Sequence, residues 1–313
     1  MKRDLARRLK LHHLRIIAAI SSKGSLLKAS AALGLTQPAL TRALHEMEMI
    51  IGARLFERHA KGMVPNQLGK LMSESALRVL ADLNSLEREI DTRISSEAES
   101  IAIGALPSAA VGILPGVVAR LQKDHPSLRV RIVQGQTEEM ITALSNGAVD
   151  VVIGRLYPPV APDNLERVEL YQDTVALLAR ADHPIFLQQP LSLESLAKYE
   201  LALTAKTPYA ATEIEQLIQR LKLQQATYLE SNSLPLIREL LLATDMITLV
   251  PRLMMAGDIL RGAVREVTSL PVSGGRPYGL ITRRDTKQSR STEIFIKLLR
   301  EYVQHLVVQG VAV

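Results

Sequence analysis

The side chains best suited to gripping another molecule lie close together, in Thr36-Gln37-Pro38-Ala39-Leu40-Thr41-Arg42 and at His45. On a helix, Gln37, Thr41, Arg42 and His45 form one outward face. Arginine and glutamine bond pairwise to base edges in a DNA groove, while hydroxyls and other polar groups reach phosphate oxygens. The chemistry implied is recognition of a polyanion, with no bond made or broken.

A helix must present that face. Leu40, Ala43, Leu44, Met47, Ile50 and Ile51 recur at the helical period and form an inward apolar stripe. Thr36 offers an acceptor to the first turn, Pro38 stands where a missing N–H costs little, and Gly52 suits a left-handed end. Upstream, Leu11 to Ser22 carries a stripe through Leu14, Ile17 and Ala18, with Leu11 at its start. Gly24-Ser25 breaks the chain and caps a short helix, Leu26 to Leu33, and Gly34-Leu35 turns into the helix bearing Gln37. This helix-turn-helix spacing lets the second helix enter a major groove by its first turns. An ordinary three-helix bundle with a polar face has the same local pattern, so spacing alone leaves both readings open.

Charge separates them. Residues 1–66 hold twelve Lys and Arg against four acids, a net of +8, whereas the whole chain is +6. The remaining residues therefore carry a net of −2, and the positive surplus lies in the first fifth of the protein. Neutralising phosphates needs such a local excess. A membrane-surface helix would gather its cations on one face opposite bulky aromatics, and these are spread over several short helices.

After the helix come two short extended runs around Lys61-Gly62, from Arg54 to Asn66, as in a β-hairpin wing. Arg58 and Lys61 would meet the backbone or minor groove beside the helix. Residues 11–66 resemble the winged helix-turn-helix of the LysR-type transcriptional regulators. The resemblance rests on Gly24-Ser25, Ala29, Ala31-Ala32, Thr36-Gln37-Pro38-Ala39, Glu48, Gly52, Leu55-Phe56-Glu57-Arg58 and Gly69, dense and in order. It implies that Gln37, Pro38, Thr41 and Arg42 meet promoter DNA and that Arg58 is the wing arginine. His45 matches a more variable outward position, and its part in base choice is read from the helical face.

Residues 67–97 predict one long helix. Met72, Ala76, Val79, Leu83, Leu86, Ile90 and Ile94 step by threes and fours, a heptad-like seam that needs a partner helix. Packing against the same chain is one solution. Pairing with the linker helix of a second copy, as the resemblance implies, is the favoured one, and a two-fold dimer calls for a pseudo-palindromic site.

Beyond residue 98 strands and helices alternate. The pattern gives strand 101–106, helix 111–123, strand 128–134, helix 137–146 and strand 149–154, in βαβα order for a mainly parallel sheet. A second run follows: strand 168–178, strand 201–204, helix 211–221, strand 225–229, helix 234–243 and strand 247–250. A strand at 278–282 and a terminal helix, 291–308, close the chain. Two α/β lobes whose last elements return to the first resemble the periplasmic-binding-protein-like effector domain of LysR regulators. The fold expected is α + α/β: a winged helix-turn-helix over 1–66, a linker and dimerisation helix over 67–97, and a two-lobed effector domain over 98–313. Lobe I would take about 98–168 and 273–313, and lobe II about 169–272.

With no cysteine, disulfides and thiolate metal sites are excluded, in keeping with a reducing cytoplasm. No secretory signal or membrane-spanning run is apparent. The seven histidines are scattered without an HxxxH pair, the Gly62 to Lys70 stretch fails the phosphate-loop spacing, and no G-x-S-x-G elbow occurs. No metal, cofactor or enzymatic activity is expected.

In open α/β sheets ligands gather at the carboxyl ends of strands, and two lobes make a cleft. Ser108 and Thr137 follow strands of the first lobe and open helices, and they match positions where the family holds its effector. Arg155 ends the next strand. Thr204, Ala205, Asn232 and Leu234 follow strands of the second lobe. The effector expected is a sugar or an organic or aromatic acid, and the lobes resemble the galactose-binding-protein-regulator-like group most. The partners expected are promoter DNA, that effector, further copies in a dimer or tetramer, and RNA polymerase, but no membrane. A solute-binding module on the same lobes would need an export signal and no basic head.

Overall fold

The computed structural model describes residues 5–59, 62–94, 99–158, 164–188, 193–204, 208–223, 228–267, 275–284, 286 and 288–311. Helices α1 (Leu5–Arg8), α2 (Leu11–Lys23), α3 (Leu26–Leu33) and α4 (Gln37–Ile51) precede a hairpin of β1 (Phe56–His59) and β2 (Gly62–Pro65). The long α5 (Gln67–Ile94) follows. Glycines 24, 34 and 52 end α2, α3 and α4 in the left-handed conformation, which only glycine adopts freely. The apolar stripes meet in one small core of Ile16, Ile17, Ile20, Ala29, Leu40, Leu44, Met47, Ile51, Leu55 and Phe56, closed by Ala76 of α5. Leu11, expected in the α2 stripe, is 40% exposed. The inward face of α2 is set instead by His13, Ile16, Ile17 and Ile20, and Leu14 and Ala18 flank it half-buried.

The stripe of α5 divides in two. Met72 and Ala76 pack into the head, whereas Val79, Leu83, Leu86 and Ile90 are 41–50% exposed. Another face of the same helix carries the effector region. Asn84 Nδ2 donates to Asn146 O at 2.6 Å, and a Cβ on Gly147 would lie 2.9 Å from Ala81 Cα.

That region begins with β3 (Ser100–Ala105), α6 (Pro107–Gly112), α7 (Leu114–Asp124), β4 (Arg129–Gln134), α8 (Thr137–Ser145), β5 (Val151–Arg155) and β6 (Leu165–Asp173). The single helix expected at 111–123 is two helices broken at Ile113. Pro115 lacks an N–H and its ring crowds the carbonyl four residues back, so the first helix stops there. Next come β7 (Val175–Arg180), α9 (Leu193–Leu196), β8 (Leu201–Thr204), α10 (Pro208–Arg220), β9 (Tyr228–Ser231) and α11 (Leu234–Ala243). The chain ends with β10 (Ile247–Pro251), a 3-10 turn (Arg252–Met255), α12 (Ala256–Leu260), β11 (Val264–Glu266), β12 (Arg276–Arg283) and α13 (Arg290–Val308).

Two five-stranded sheets result, ordered β4-β3-β5-β12-β6 and β9-β8-β10-β7-β11. Each has parallel pairs on one side and antiparallel pairs on the other, so both are mixed rather than mainly parallel. The cause is a strand exchange. The chain crosses from β6 into β7 at Thr174 and returns from β11 to β12, and the strand arriving from the other lobe runs antiparallel to its neighbours. The strand expected from 168 to 178 is therefore two strands in different sheets, and the lobe change falls at Thr174 rather than at 168–169. The closing helix α13 buries Phe295, Leu299, Val303 and Leu306 in the core of the first lobe.

The end of α8 is firmly held. Arg283 Nη1 donates to Leu144 O at 2.9 Å and Val149 O at 3.1 Å, and Arg131 bonds Ala148 O, placing two cations at a helix C-terminus. The turn that rests on α5 is thus braced by strands β4 and β12.

Candidate functional site

Thr36 stands just before α4 with extended backbone, and its Oγ1 accepts from Ala39 N at 3.4 Å. Pro38 lies in the first turn. With the helix start so defined, Thr36, Gln37, Pro38, Thr41, Arg42 and His45 are all exposed, opposite buried Leu40, Leu44 and Met47. Thr41 Oγ1 donates to Gln37 O at 2.9 Å and Arg42 Nε to Pro38 O at 3.4 Å. Arg42 is thereby steered along its own helix, with its two terminal amino groups left for an outside acceptor.

Beside α4 the hairpin pairs Arg58 with Met63 and His59 with Gly62. Met63 N donates to Gly24 O at 2.8 Å, and any Cβ at Gly62 would sit 2.2 Å from that oxygen. The wing is so clamped to the α2–α3 turn, and Arg58 is exposed upon it. Lys61 lies outside the described residues. Gln37, Thr41, Arg42 and Arg58 offer hydrogen-bond donors from this surface, two of them charged, to a groove of a duplex.

The second group of predicted residues lies at the carboxyl ends of strands. In the first lobe Ser108 is buried in the first turn of α6, where Leu106 and not a hydroxyl residue occupies the cap. Its Oγ lies 2.7 Å from the Tyr278 hydroxyl, whose oxygen also accepts from Ala109 N at 3.1 Å. Tyr278 itself stacks on Tyr171 at 5.1 Å. Burial pushes both phenols well above the ordinary tyrosine range, so both stay neutral. Arg155 ends β5 directly opposite Tyr278. Thr137 is the first residue of α8 and half-buried, while Gln136 caps that helix in a box with Glu139.

In the second lobe Thr204 pairs with Ser231 across β8 and β9. Ser231 Oγ accepts from Ser233 N at 3.0 Å, and Ser233 caps α11. Asn232 is exposed beside them and Leu234 opens the helix half-buried, while Ala205 lies outside the described residues. The lobes meet where α6 packs on the turn after β10: a Cβ on Gly112 would fall 2.2 Å from Leu253 O. Ser108 thus bonds the hydroxyl of Tyr278, whose neighbour across the β5–β12 pair is Arg155, and Thr204 pairs with Ser231.

Residues 11–70 match the bacterial regulatory helix-turn-helix proteins of the lysR family, and residues 95–304 match the LysR substrate binding domain. The chain belongs to the LysR family. Over 300 residues it is 28% identical to YdcI, an uncharacterised HTH-type transcriptional regulator of Escherichia coli K12, covering 95% of this chain and 96% of that one. Identity to the HTH-type transcriptional regulator GbpR of Azospirillum brasilense is 26% over 298 residues, 95% of this chain and 87% of GbpR. A full-length OxyR variant from Pseudomonas aeruginosa shares the fold at a TM-score of 0.56 and 18% identity, covering 93% of this chain and 95% of that one. This LysR-family chain is a transcriptional regulator with a DNA-binding and an effector-binding domain, and not an enzyme. No described helix is long and apolar enough to cross a membrane.

Sequence reasoning missed two residues of this LysR chain. Tyr278 read only as a strand residue, and nothing local marks its hydroxyl as the partner of Ser108. His13 is fully buried in the head between α2 and α4, and the His12-His13 pair was the one available signal. Its Nδ1 accepts from Lys10 N at 3.2 Å, which places the proton on Nε2, 3.7 Å from Glu46 Oε2 on the recognition helix. Burial holds its pKa below the usual 6.5; His12 and Lys10 push the same way, and Glu46 opposes them.

The unfolded chain then binds a proton that the folded head refuses, so stability is intact above 6.5 and is lost as pH falls below it. Calorimetry on the wild type should show the head melting at a lower temperature at about pH 5.5 than at about pH 7. His13→Gln should flatten that dependence. An unchanged slope in the variant would assign the acid sensitivity elsewhere.

Proposed function

We propose that α4 reads promoter DNA in the major groove through Gln37, Thr41, Arg42 and His45, with Thr36 and Pro38 at its entry and Arg58 and Lys61 on the wing. The exposed polar face of α4, capped at Thr36 and backed by a complete core, carries this reading. The net +8 of residues 1–66 supplies the phosphate attraction. Paired heads arise from the uncovered seam of α5, giving a dimer or, through further contacts, a tetramer on a pseudo-palindromic site. Contact with RNA polymerase and a cytoplasmic location follow from work at a promoter.

The effector is a small polar metabolite, a sugar or an organic or aromatic acid, held at the carboxyl strand ends by Thr137, Arg155, Thr204, Ala205, Asn232 and Leu234. Ser108 serves the same site through its bond with Tyr278. A ligand touching both lobes shifts their arrangement by its differential affinity for the two states. Lobe I rests on α5 through Asn146 and Gly147, so that shift reaches the helix that spaces the heads.

The test of DNA reading is Arg42→Ala. In gel shifts on a duplex selected by the wild-type protein from a random-sequence library, operator affinity should fall by about 1–3 kcal/mol. A folded variant with wild-type affinity would remove Arg42 and its helical face from the interface.

A further inference from the structure

We infer that Glu48 is a positioning residue for DNA binding: it holds the wing at its angle to the recognition helix by bonding the peptide that joins them. The inference rests on the reading that Arg58 of the wing touches DNA.

Glu48 lies near the end of α4, away from the turns that bear Gln37 and Arg42. Its own carbonyl accepts from Gly52 N at 2.7 Å and Ala53 N at 3.2 Å, which closes the turn out of the helix. Its carboxylate Oε1 then accepts from Leu55 N, again at 2.7 Å. One residue so bonds the chain at positions 52, 53 and 55, three of the four residues that lead into β1.

The other side of that lead is held from the linker. Asn66 N donates to Leu55 O at 3.0 Å, and Asn66 Nδ2 donates to Arg54 O at 2.8 Å. Asn66 Oδ1 in turn accepts from Gly69 N at 2.9 Å in the first turn of α5. A Cβ on Gly69 would sit 2.0 Å from Leu55 O, so that helix lies directly on the junction. Leu55 thus has its N–H committed to the recognition helix and its carbonyl to the linker helix, with its side chain fully buried. Arg58 follows three residues on, before the strand turns back.

The charge of Glu48 supports a role in geometry. A carboxylate beside a surface that must approach phosphates opposes binding electrostatically. Its return is a charge-assisted bond to a backbone N–H, roughly twice as strong as a neutral one and directional. Removing it leaves the Arg54-Leu55 peptide tied to the linker alone; the second strand stays held by Met63 N on Gly24 O, so it is the first strand, which carries Arg58, that can shift against the recognition helix.

The experiment uses the full chain and a duplex selected by the wild-type protein from a random-sequence library. Glu48→Ala and Arg58→Ala should each lower affinity about tenfold, and the double variant should be no weaker than the weaker single one. Glu48→Gln should stay within about twofold of wild type, since the amide oxygen can accept the same bond. Full additivity of the two losses, or wild-type affinity in Glu48→Ala, overturns the proposal. If Glu48→Ala fails to fold, Glu48→Asp, one methylene too short for the bond, stands in its place with the same expectations. If Arg58→Ala binds normally, it is the DNA contact of Arg58 that fails. Glu48 is then judged by hydroxyl-radical protection: loss of the outermost protected sugars in Glu48→Ala supports it, and an unchanged footprint overturns it.

Discussion

Leu83→Glu is expected to convert the protein to monomers at low micromolar concentration, with a collapse in operator affinity. Leu83 lies at the middle of the uncovered seam, 41% exposed, with Val79 at 44% and Leu86 at 50%. The lower part of the same stripe, Met72 and Ala76, is already spent on the head. A linker helix from a second copy would bury Leu83, and an unpaired carboxylate there costs about 3–5 kcal/mol. Affinity falls for a second reason. Two heads on one duplex act at an effective concentration that raises avidity about 10²–10⁴-fold, and a monomer forgoes it. Sedimentation velocity reads the first effect and gel shift the second. A Leu83→Glu protein that sediments as the wild-type oligomer would falsify the seam.

Gly112→Val should destabilise the effector domain by about 3 kcal/mol or more while leaving the head folded. The new Cβ would lie 2.2 Å from Leu253 O, a backbone atom, and 3.1 Å from Leu253 Cβ. Neither side can retreat easily. Helix α6 is pinned at its start by Tyr278 on Ser108 and Ala109, and the opposing turn by Arg252 N on Thr174 O at 2.8 Å. The strain therefore falls on the contact between the lobes. Gly262→Ala is the control: its φ of +71° is strained for alanine, but no atom lies within 4 Å of the added carbon. About 1 kcal/mol is expected there. Calorimetric melting of both variants decides the matter; equal, small losses would show that α6 and the turn yield freely.

Much of the head was legible in the sequence because its determinants are short-range. A 3.6-residue stripe through Leu40, Leu44, Met47 and Ile51, a capping Thr36 and a closing Gly52 are all carried by neighbours along one helix. The same holds for the long α5 helix and for most strands of the lobes. Pairing across distance was not legible. A strand pattern gives its faces but not its sheet, so residues 168–178 read as one strand, although Tyr171 and Leu177 sit in different lobes. Ser108 and Tyr278 are 170 residues apart, and no local signal marks a hydroxyl that another hydroxyl will claim.

By itself the sequence determined the class of the protein, the polar face of α4 and the excess of charge behind it, since residue type and spacing along a helix suffice for these. Only the tertiary structure decided which part of the α5 stripe the head covers, and that α6 meets the turn after β10. It also decided that His13 is buried and that Glu48 bonds Leu55. Each of these depends on where a distant or differently directed backbone happens to run, and burial and hydrogen-bond geometry exist only once that path is closed.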